Sequence, residues 1–535
     1  MGLGGCAGDS VHKGLRKELA VVGAIALLSL AVRTLAALTT DIFQDEGVYW
    51  KQAYEGLSFS PHPPAAPLMV RLGLAVFGQN MLGLRAASLV AGTASVVMAY
   101  VLGRRMYGRR AGVWAAALFA CCPLFAGIGA VATPDAPLVL AWMAFIYASW
   151  RAGEACRAAR KGAMGWRAVA GVVLAAGLYT KYMMVLAIPS LGLALLLTRD
   201  GRAQLKSLGP WLGALIGVAL FAPVLLIWDW RHAWPTLQYH LVARHQWVVS
   251  GGQIATYVAS HVGAISPLLI IGVFWALLHW WPSRRNHDWR GVWISAFGWV
   301  PIVFFVLPSA FTLRTMNRVH WDAVGYAAGL VAFAFLLREG GVRGRVLRRR
   351  RWLAAAGMAF GTATIVVTLV TVWSPALAAD VLGKPPSIRM LGWRELAEGV
   401  ENAQEEWNGP ARFIVADSFR TALCLSFHLG ARDGVYTLFH SSNRRYGLTE
   451  ELERWGTDEP SMVREQLGQD ALYVHEYRFD SDKGREDPPM RIHLFFTRVE
   501  KVADVYVVRG GVQLKHFGLF NCHELKLKPR ARPTR

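Results

Sequence analysis

Apolar runs of about 20 residues recur through the first 375 positions, and every second connection between them is crowded with Lys and Arg. A run of that length inside a bilayer must satisfy its own backbone N–H and C=O groups, so each is constrained to fold as a helix. The runs lie near 19–38, 84–103, 111–130, 135–150, 166–179, 183–198, 209–228, 259–281, 292–311, 322–338 and 353–374. A hydrophobic content of 54%, 22 Trp and a mean hydropathy of +0.31 agree with a polytopic α-helical membrane protein of about eleven spans.

The formal charge of +21 would suit a nucleic-acid binder, but its location argues otherwise. Residues 1–375 hold 34 Lys/Arg against 13 Asp/Glu, whereas residues 376–535 hold 23 of each. The excess belongs to the membrane part, and no nucleic-acid partner is expected. Five connections carry most of it: RRMYGRR at 104, RAGEACRAARKGAMGWR at 151, RDGRAQLK at 199, PSRRNHDWR at 282 and REGGVRGRVLRRRRW at 338. Positive charge marks the cytoplasmic side, so these loops and the N-terminus are expected inside. The first run follows Lys13, Arg16 and Lys17 and reads as an uncleaved span, and an odd span number places residues 376–535 outside. The six Cys show no metal-site or disulfide spacing; only Cys424 and Cys522 share the tail, where they either pair or stay free.

Two domains are expected: 1–375, with an amphipathic first outer loop at 39–83, and 376–535. In the tail, helix-like RELAEGVENAQEEW, TALCLSFHLG and LTEELERWG alternate with strand-like RFIVAD, GVYTLF and ALYVHEY, ahead of a β-rich KVADVYVVRGGVQLKHF. That alternation predicts a small extracytoplasmic α/β domain.

The chemistry-bearing residues gather on the outer side. TTDIFQDEGVYWKQAYEGLSFSPHPPAAP, at 39–67, holds four acids. Asp45 is placed to cap the helix VYWKQAYEGL, whose Tyr49, Trp50 and Tyr54 are suited to an interfacial face. Asp41 and Glu55 read as ordinary loop and helix-surface residues. Asp135 opens the fourth run, where a helix dipole favours an acid by about 0.3–1 kcal/mol. Lys181 is flanked by apolar helix on both sides, where a charge costs about 2.5 kcal/mol or more, so it calls for a partner or an anionic ligand. Arg314, Arg318, His320 and Trp321 add donors. Asp229, Arg231, His232, Arg244 and His245 either line a mouth or are solvated. Acids beside bases at a membrane surface suit glycosyl transfer from a lipid-linked phosphosugar: a carboxylate takes the acceptor's proton and cations offset the charge growing on the leaving phosphate.

DEGVYW, HPP, VATPDAPLVLAW, LYTKY and NRVHWDAVGY occur in that order, and the series resembles the motifs of the GT-C superfamily glycosyltransferases. The similar branch is the bacterial family that includes protein O-mannosyltransferases and the lipid A aminoarabinose and galacturonic acid transferases. The resemblance implies an inverting transferase that uses a polyprenyl-phosphate sugar, with Asp45 as catalytic base or acceptor-positioning acid and Glu46 beside it. It implies donor-site roles for His62, Asp135, Lys181, Tyr182, Arg318 and His320. His62 stands where the aminoarabinose branch has a Lys near the lipid phosphate, and His320-Trp321 replaces the more usual Asn-Trp. The acceptor implied is a lipid, a glycan or a protein at a bacterial cytoplasmic membrane. Members differ on metal; the sequence shows no clean ligand set, and a divalent cation stays an open expectation. The competing reading is a transporter or flippase of lipid-linked sugars, which the lack of Gly/Pro-broken helices in two matching halves and the one-sided placement of the acids disfavour.

Overall fold

The computed structural model describes residues 5–56, 58–240, 251–282, 288–311, 319–338, 344–382, 389–407, 409, 412–445, 447–477 and 490–527. The apolar runs are mostly helical. In chain order the membrane part contains α1 (Gly5–Thr39), α2 (Gln44–Glu55), α3 (Ala65–Phe77), α4 (Met81–Tyr107), α5 (Arg109–Ala120), α6 (Pro123–Ile128), α7 (Asp135–Arg157) and α8 (Ala163–Thr180). A 3-10 turn, Tyr182–Leu186, leads into α9 (Ala187–Leu197), followed by α10 (Arg199–Leu205), α11 (Gly209–Arg231), α12 (Pro235–Gln238), α13 (Gly251–Ile265) and α14 (Pro267–His279). Then come α15 (Trp289–Phe311), α16 (Ala323–Leu336), α17 (Arg345–Trp373) and α18 (Pro375–Leu382).

Among the described residues, six helices are long and apolar enough to cross a membrane, and a seventh crossing results if the pair α13–α14, bent by 101°, counts as one. The chain is a multi-pass membrane protein. The expected run at 111–130 is split into α5 and α6 at Cys121-Cys122, where Pro123 cannot continue a helix ladder. The run at 322–338 forms only α16, whose 14 residues reach about 21 Å. Because α16 is buried along its whole length, it has no need to match the bilayer. Its close packing on α15 relies on glycine: a Cβ on Gly325 would lie 2.8 Å from the Gly298 carbonyl oxygen.

The molecule divides into two compact units that do not follow chain order. One comprises 1–37, 62–66 and 85–367; the other comprises 38–61, 67–84 and 368–535. Residues 38–61, grouped by hydropathy with the membrane part, thus cluster with the tail. The second unit contains α19 (Trp393–Glu405), β1 (Phe413–Ala416), α20 (Phe419–Leu429), β2 (Val435–Thr437), α21 (Ser441–Arg445), α22 (Thr449–Arg454), α23 (Glu459–Gln466), β3 (Ala471–Glu476), β4 (Phe496–Arg509) and β5 (Val512–Leu525). Its sheet has the order β2-β1-β3-β5-β4, with β1 parallel to β2 and β3, and β5 antiparallel to β3 and β4. Gly510 and Gly511, both at positive φ, close the β4–β5 hairpin, as a tight turn between right-twisted strands requires. The α/β expectation for the tail is met. Cys424 and Cys522 are free and buried.

Two local expectations are overturned in this unit. Tyr49 and Trp50 of α2 do not form an interfacial face. Trp50 is fully buried, edge-on to Phe427 at 5.8 Å and donating Nε1–H to Gln79 at 3.3 Å, while Val48 joins Phe419, Leu423 and Trp455 in one core cluster. Tail helix α20 supplies the apolar partner that a membrane surface would otherwise provide. Asp41, in turn, is no ordinary loop acid: its Oδ2 accepts from the backbone N–H groups of Gly392 (2.8 Å) and Trp393 (3.0 Å), capping α19. Burial holds the neighbouring His428 imidazole below its ordinary range although Asp41 Oδ1 lies 3.7 Å away. Glu55 pairs with the buried Lys51 at 2.7 Å. Replacing Asp41 by Ala leaves two helix N–H groups without their acceptor, and is expected to destabilise this unit by about 1–3 kcal/mol. Thermal unfolding of the purified protein, with Asp41→Asn recovering part of the loss, checks this.

A buried ion pair and a basic cleft

Lys181 sits where α8 ends. Its backbone is extended (φ −159°), its N–H still bonds the Gly177 carbonyl at 3.0 Å, and its own carbonyl accepts from Met184 N–H at 3.1 Å to open the 3-10 turn. Gly177 permits this tight reversal, since a Cβ there would lie 2.5 Å from Met184 Cγ. The break leaves Lys181 pointing sideways, and its Nζ donates to Asp135 Oδ1 at 2.7 Å. Both residues are 4% exposed. Asp135 opens α7 with Pro134 as N-cap, and its carboxylate is turned to the lysine. An ammonium has three N–H donors, of which Asp135 takes one.

Lys181 also lines a small cleft together with His62, Tyr182, Met183, His240 and Trp321. The His240 ring packs edge-on to Tyr182 at 5.1 Å and lies 6.5 Å from His62. His320 is within electrostatic reach of Asp135. Of the expected donor-site residues, His62, Lys181 and Tyr182 line this one small opening, while Asp135 is joined to it through Lys181 and His320 through its influence on Asp135. Arg314, Arg318, Arg244 and His245 lie outside the described residues. Asp229 is not a mouth residue: fully buried, it accepts from Thr236 N–H (2.9 Å) and Leu237 N–H (3.2 Å) and caps α12.

Behind Trp321 stands a polar network deep in the bundle. His261 Nε2 lies 2.8 Å from Asp322 Oδ1, the Tyr257 hydroxyl donates to Asp322 Oδ2, and His261 Nδ1 lies 2.8 Å from the Tyr257 carbonyl. Asp322 also caps α16 through its carbonyl, 2.9 Å from Gly325 N–H. The segment His320–Asp322 is thereby tied to α13.

In the other unit, Asp45 is the second residue of α2 rather than its cap, because the helix starts at Gln44. Asp45 is half-buried, with Gln44 Nε2 3.3 Å from its Oδ1. Glu46 is fully buried, and its Oε2 accepts from the Phe43 N–H at 2.8 Å. Phe43 has no side-chain acceptor, so Glu46 performs the helix-start function expected of Asp45. Among the described residues no three His, Cys, Asp or Glu side chains form a metal-holding group.

The family model described as dolichyl-phosphate-mannose-protein mannosyltransferase matches residues 61–228, the stretch that holds His62, Asp135, Lys181 and Tyr182. The undecaprenyl phosphate-alpha-4-amino-4-deoxy-L-arabinose arabinosyl transferase of Pseudomonas aeruginosa (strain LESB58) is 36% identical over 138 residues, 25% of either chain. The lipid A galacturonosyltransferase RgtD of Rhizobium johnstonii is 22% identical over 414 residues, 74% of this chain and 80% of that one. The crystal structure of ArnT from Cupriavidus metallidurans in the apo state superposes with a TM-score of 0.63 at 16% identity, covering 95% of this chain and 98% of that one. With undecaprenyl phosphate bound, that protein gives 0.60 at 16% identity, over 94% and 97%. The chain has the GT-C fold. Against the first of these curated relatives, the alignment spans a quarter of the relative's length. The GT-C fold here belongs to a multi-pass membrane protein.

Reading this GT-C sequence by motif missed His240, Tyr257, His261 and Asp322. Tyr257 and His261 carried a usable signal, a polar pair at i, i+4 on one face of an apolar helix. Asp322 ends the motif HWD itself. His240 gave none, since its neighbours are unremarkable loop residues. Breaking the buried ion pair by Lys181→Met strands the Asp135 carboxylate and is expected to destabilise the GT-C bundle by about 3–5 kcal/mol. The double variant Lys181→Met, Asp135→Leu removes both charges and is expected to recover most of that loss. Unfolding midpoints of the wild type and the two variants in one detergent test it.

Proposed function

We propose that the protein is an inverting glycosyltransferase that moves a sugar, hexosyl or pentosyl, from a polyprenyl-phosphate donor to an envelope acceptor at the outer face of the cytoplasmic membrane. The observation that carries this reading is the cleft in which Lys181, held by Asp135, meets His62 and His240. Several cation-capable side chains around one opening are what a phosphate leaving group needs as its negative charge grows. A cation about 4 Å from such an oxygen is worth roughly 4 kcal/mol at an effective dielectric of 20. The names of the relatives point the same way: an arabinosyl transferase with an undecaprenyl-phosphate donor and a galacturonosyltransferase of lipid A.

In this mechanism the acceptor hydroxyl attacks the anomeric carbon while Asp45 takes its proton. The bond from that carbon to the phosphate oxygen breaks, and the phosphate leaves with the electron pair. Lys181, with His62, Arg318 and His320, offsets the charge; Asp135 holds the Lys181 ammonium in place, and Tyr182 supplies a wall of the donor site. Glu46 supports Asp45 by fixing the start of α2, which keeps the carboxylate on a rigid helix turn. The acceptor is lipid A, another glycan or a protein. We place the N-terminus in the cytoplasm and residues 376–535 outside, on the strength of the five basic connections.

Asp45→Asn keeps size and hydrogen bonding but removes the base. In membrane vesicles supplied with a polyprenyl-phosphate sugar, it is expected to lower transfer by at least about 100-fold while expression and donor binding persist. Near-normal transfer by this variant would remove Asp45 from the role. Movement of a lipid-linked sugar across liposomes without any transfer would favour the flippase instead.

A further inference from the structure

The cleft occupies one end of α7 and α8. At the other end of the same helices lies a second cavity with a different chemistry. Gly153 and Arg167 line it; Gly153 is 18 residues along α7 from Asp135, and Arg167 is 14 residues before Lys181. At 1.5 Å per residue these are separations of about 27 and 21 Å, most of a hydrocarbon core. The cavity thus belongs to the opposite, arginine-rich face.

Its walls are apolar, with Phe145, Leu191, Leu195 and Trp293, and the backbones of Gly153 and Gly213 complete them. Arg167 is the charged residue lining it, with Gln204 beside it. The guanidinium lies flat against the start of α11, where a Cβ on Gly209 would come within 2.4 Å of Nη1. Among the described residues Arg167 has no hydrogen-bonding or ion-pair partner, unlike Arg105 and Arg290, which pair with Glu154 and Asp288. Arg199, Arg202 and Lys206 on and just after α10 add positive charge close by in sequence.

An apolar cavity between membrane helices, with an uncompensated guanidinium lining it on the basic face, is complementary to a lipid with an anionic head. We propose that it is a binding site for an anionic glycerophospholipid of the bilayer, with an acyl chain between α7, α9 and α15 and the phosphate on Arg167. Position separates this ligand from the sugar donor, whose phosphate must reach the cleft more than about 20 Å away along α7. The proposal needs only the membrane fold and stands whether or not the transferase reading does.

The test is native mass spectrometry of the purified full-length protein, titrated with phosphatidylglycerol, phosphatidylcholine or undecaprenyl phosphate. Wild type is expected to bind phosphatidylglycerol more tightly than phosphatidylcholine. Arg167→Gln is expected to weaken phosphatidylglycerol binding by at least about fivefold, the contribution of one basic group near an anionic lipid, and to leave phosphatidylcholine unchanged. Ala214→Leu, which adds bulk to a lining position on α11, is expected to weaken both. An undiminished phosphatidylglycerol preference in Arg167→Gln overturns the proposal. So does Arg167-dependent binding of undecaprenyl phosphate in place of phosphatidylglycerol, which would assign the cavity to an isoprenoid phosphate.

Discussion

The Lys181–Asp135 pair is the interaction on which the geometry of the membrane unit's site depends. Each charge alone would be costly at this depth, and together they fix two helix ends that have no other reason to meet. The lysine ends α8 in an extended residue and the aspartate begins α7, so the pair joins one C-terminus to one N-terminus. That junction sets where the 3-10 turn starts, and the turn sets where Tyr182 and Met183 stand in the cleft. A neutral pair of similar size could hold the helices. It could not present an ammonium to the cleft.

Irregular backbone elsewhere in this unit is supported by the same means. Ser266 breaks α13 from α14 at positive φ, and α16 begins without a side-chain cap. Both features lie in the region of the bundle served by Tyr257, His261 and Asp322, whose mutual hydrogen bonds satisfy groups that lipid could not. A buried polar network of this kind is stable only when its members are all engaged, which makes it a rigid support for His320 and Trp321.

The spans, their basic flanks and the alternating tail were legible because each rests on local composition: about 20 apolar residues, clustered arginines, strand and helix periods. The partners of Asp135 and Lys181 were half legible, since a buried charge requires some partner and the sequence offers few. What could not be read were contacts between residues far apart in the chain. Asp41 meets Gly392 across 351 positions, and Trp50 meets Phe427 across even more. Nothing near either residue reports such a partner. An amphipathic helix such as α2 shows that it will bury a face, but not whether lipid or protein covers it. Glu46 escaped for a different reason: the cap position went to Phe43, a residue that cannot cap, and the acid three positions on took over the work.

Helices α7 and α8 carry opposite chemistry at their two ends. At one end a carboxylate and an ammonium neutralise each other and leave donors for a ligand; at the other a lone guanidinium lines an apolar cavity. A helix pair that spans a bilayer meets both of its surfaces, and its ends can evolve separately because about 20 Å of apolar packing lies between them. The packing must then be stiff enough to hold both ends at fixed depth. Here α8 supplies that stiffness with Gly171 against Ile216 and Gly217 against Leu174, contacts so close that a Cβ at either glycine would lie 2.7 or 2.6 Å from its neighbour. Close packing between α8 and α11 thus keeps the depth of Lys181 and the depth of Arg167 from varying independently.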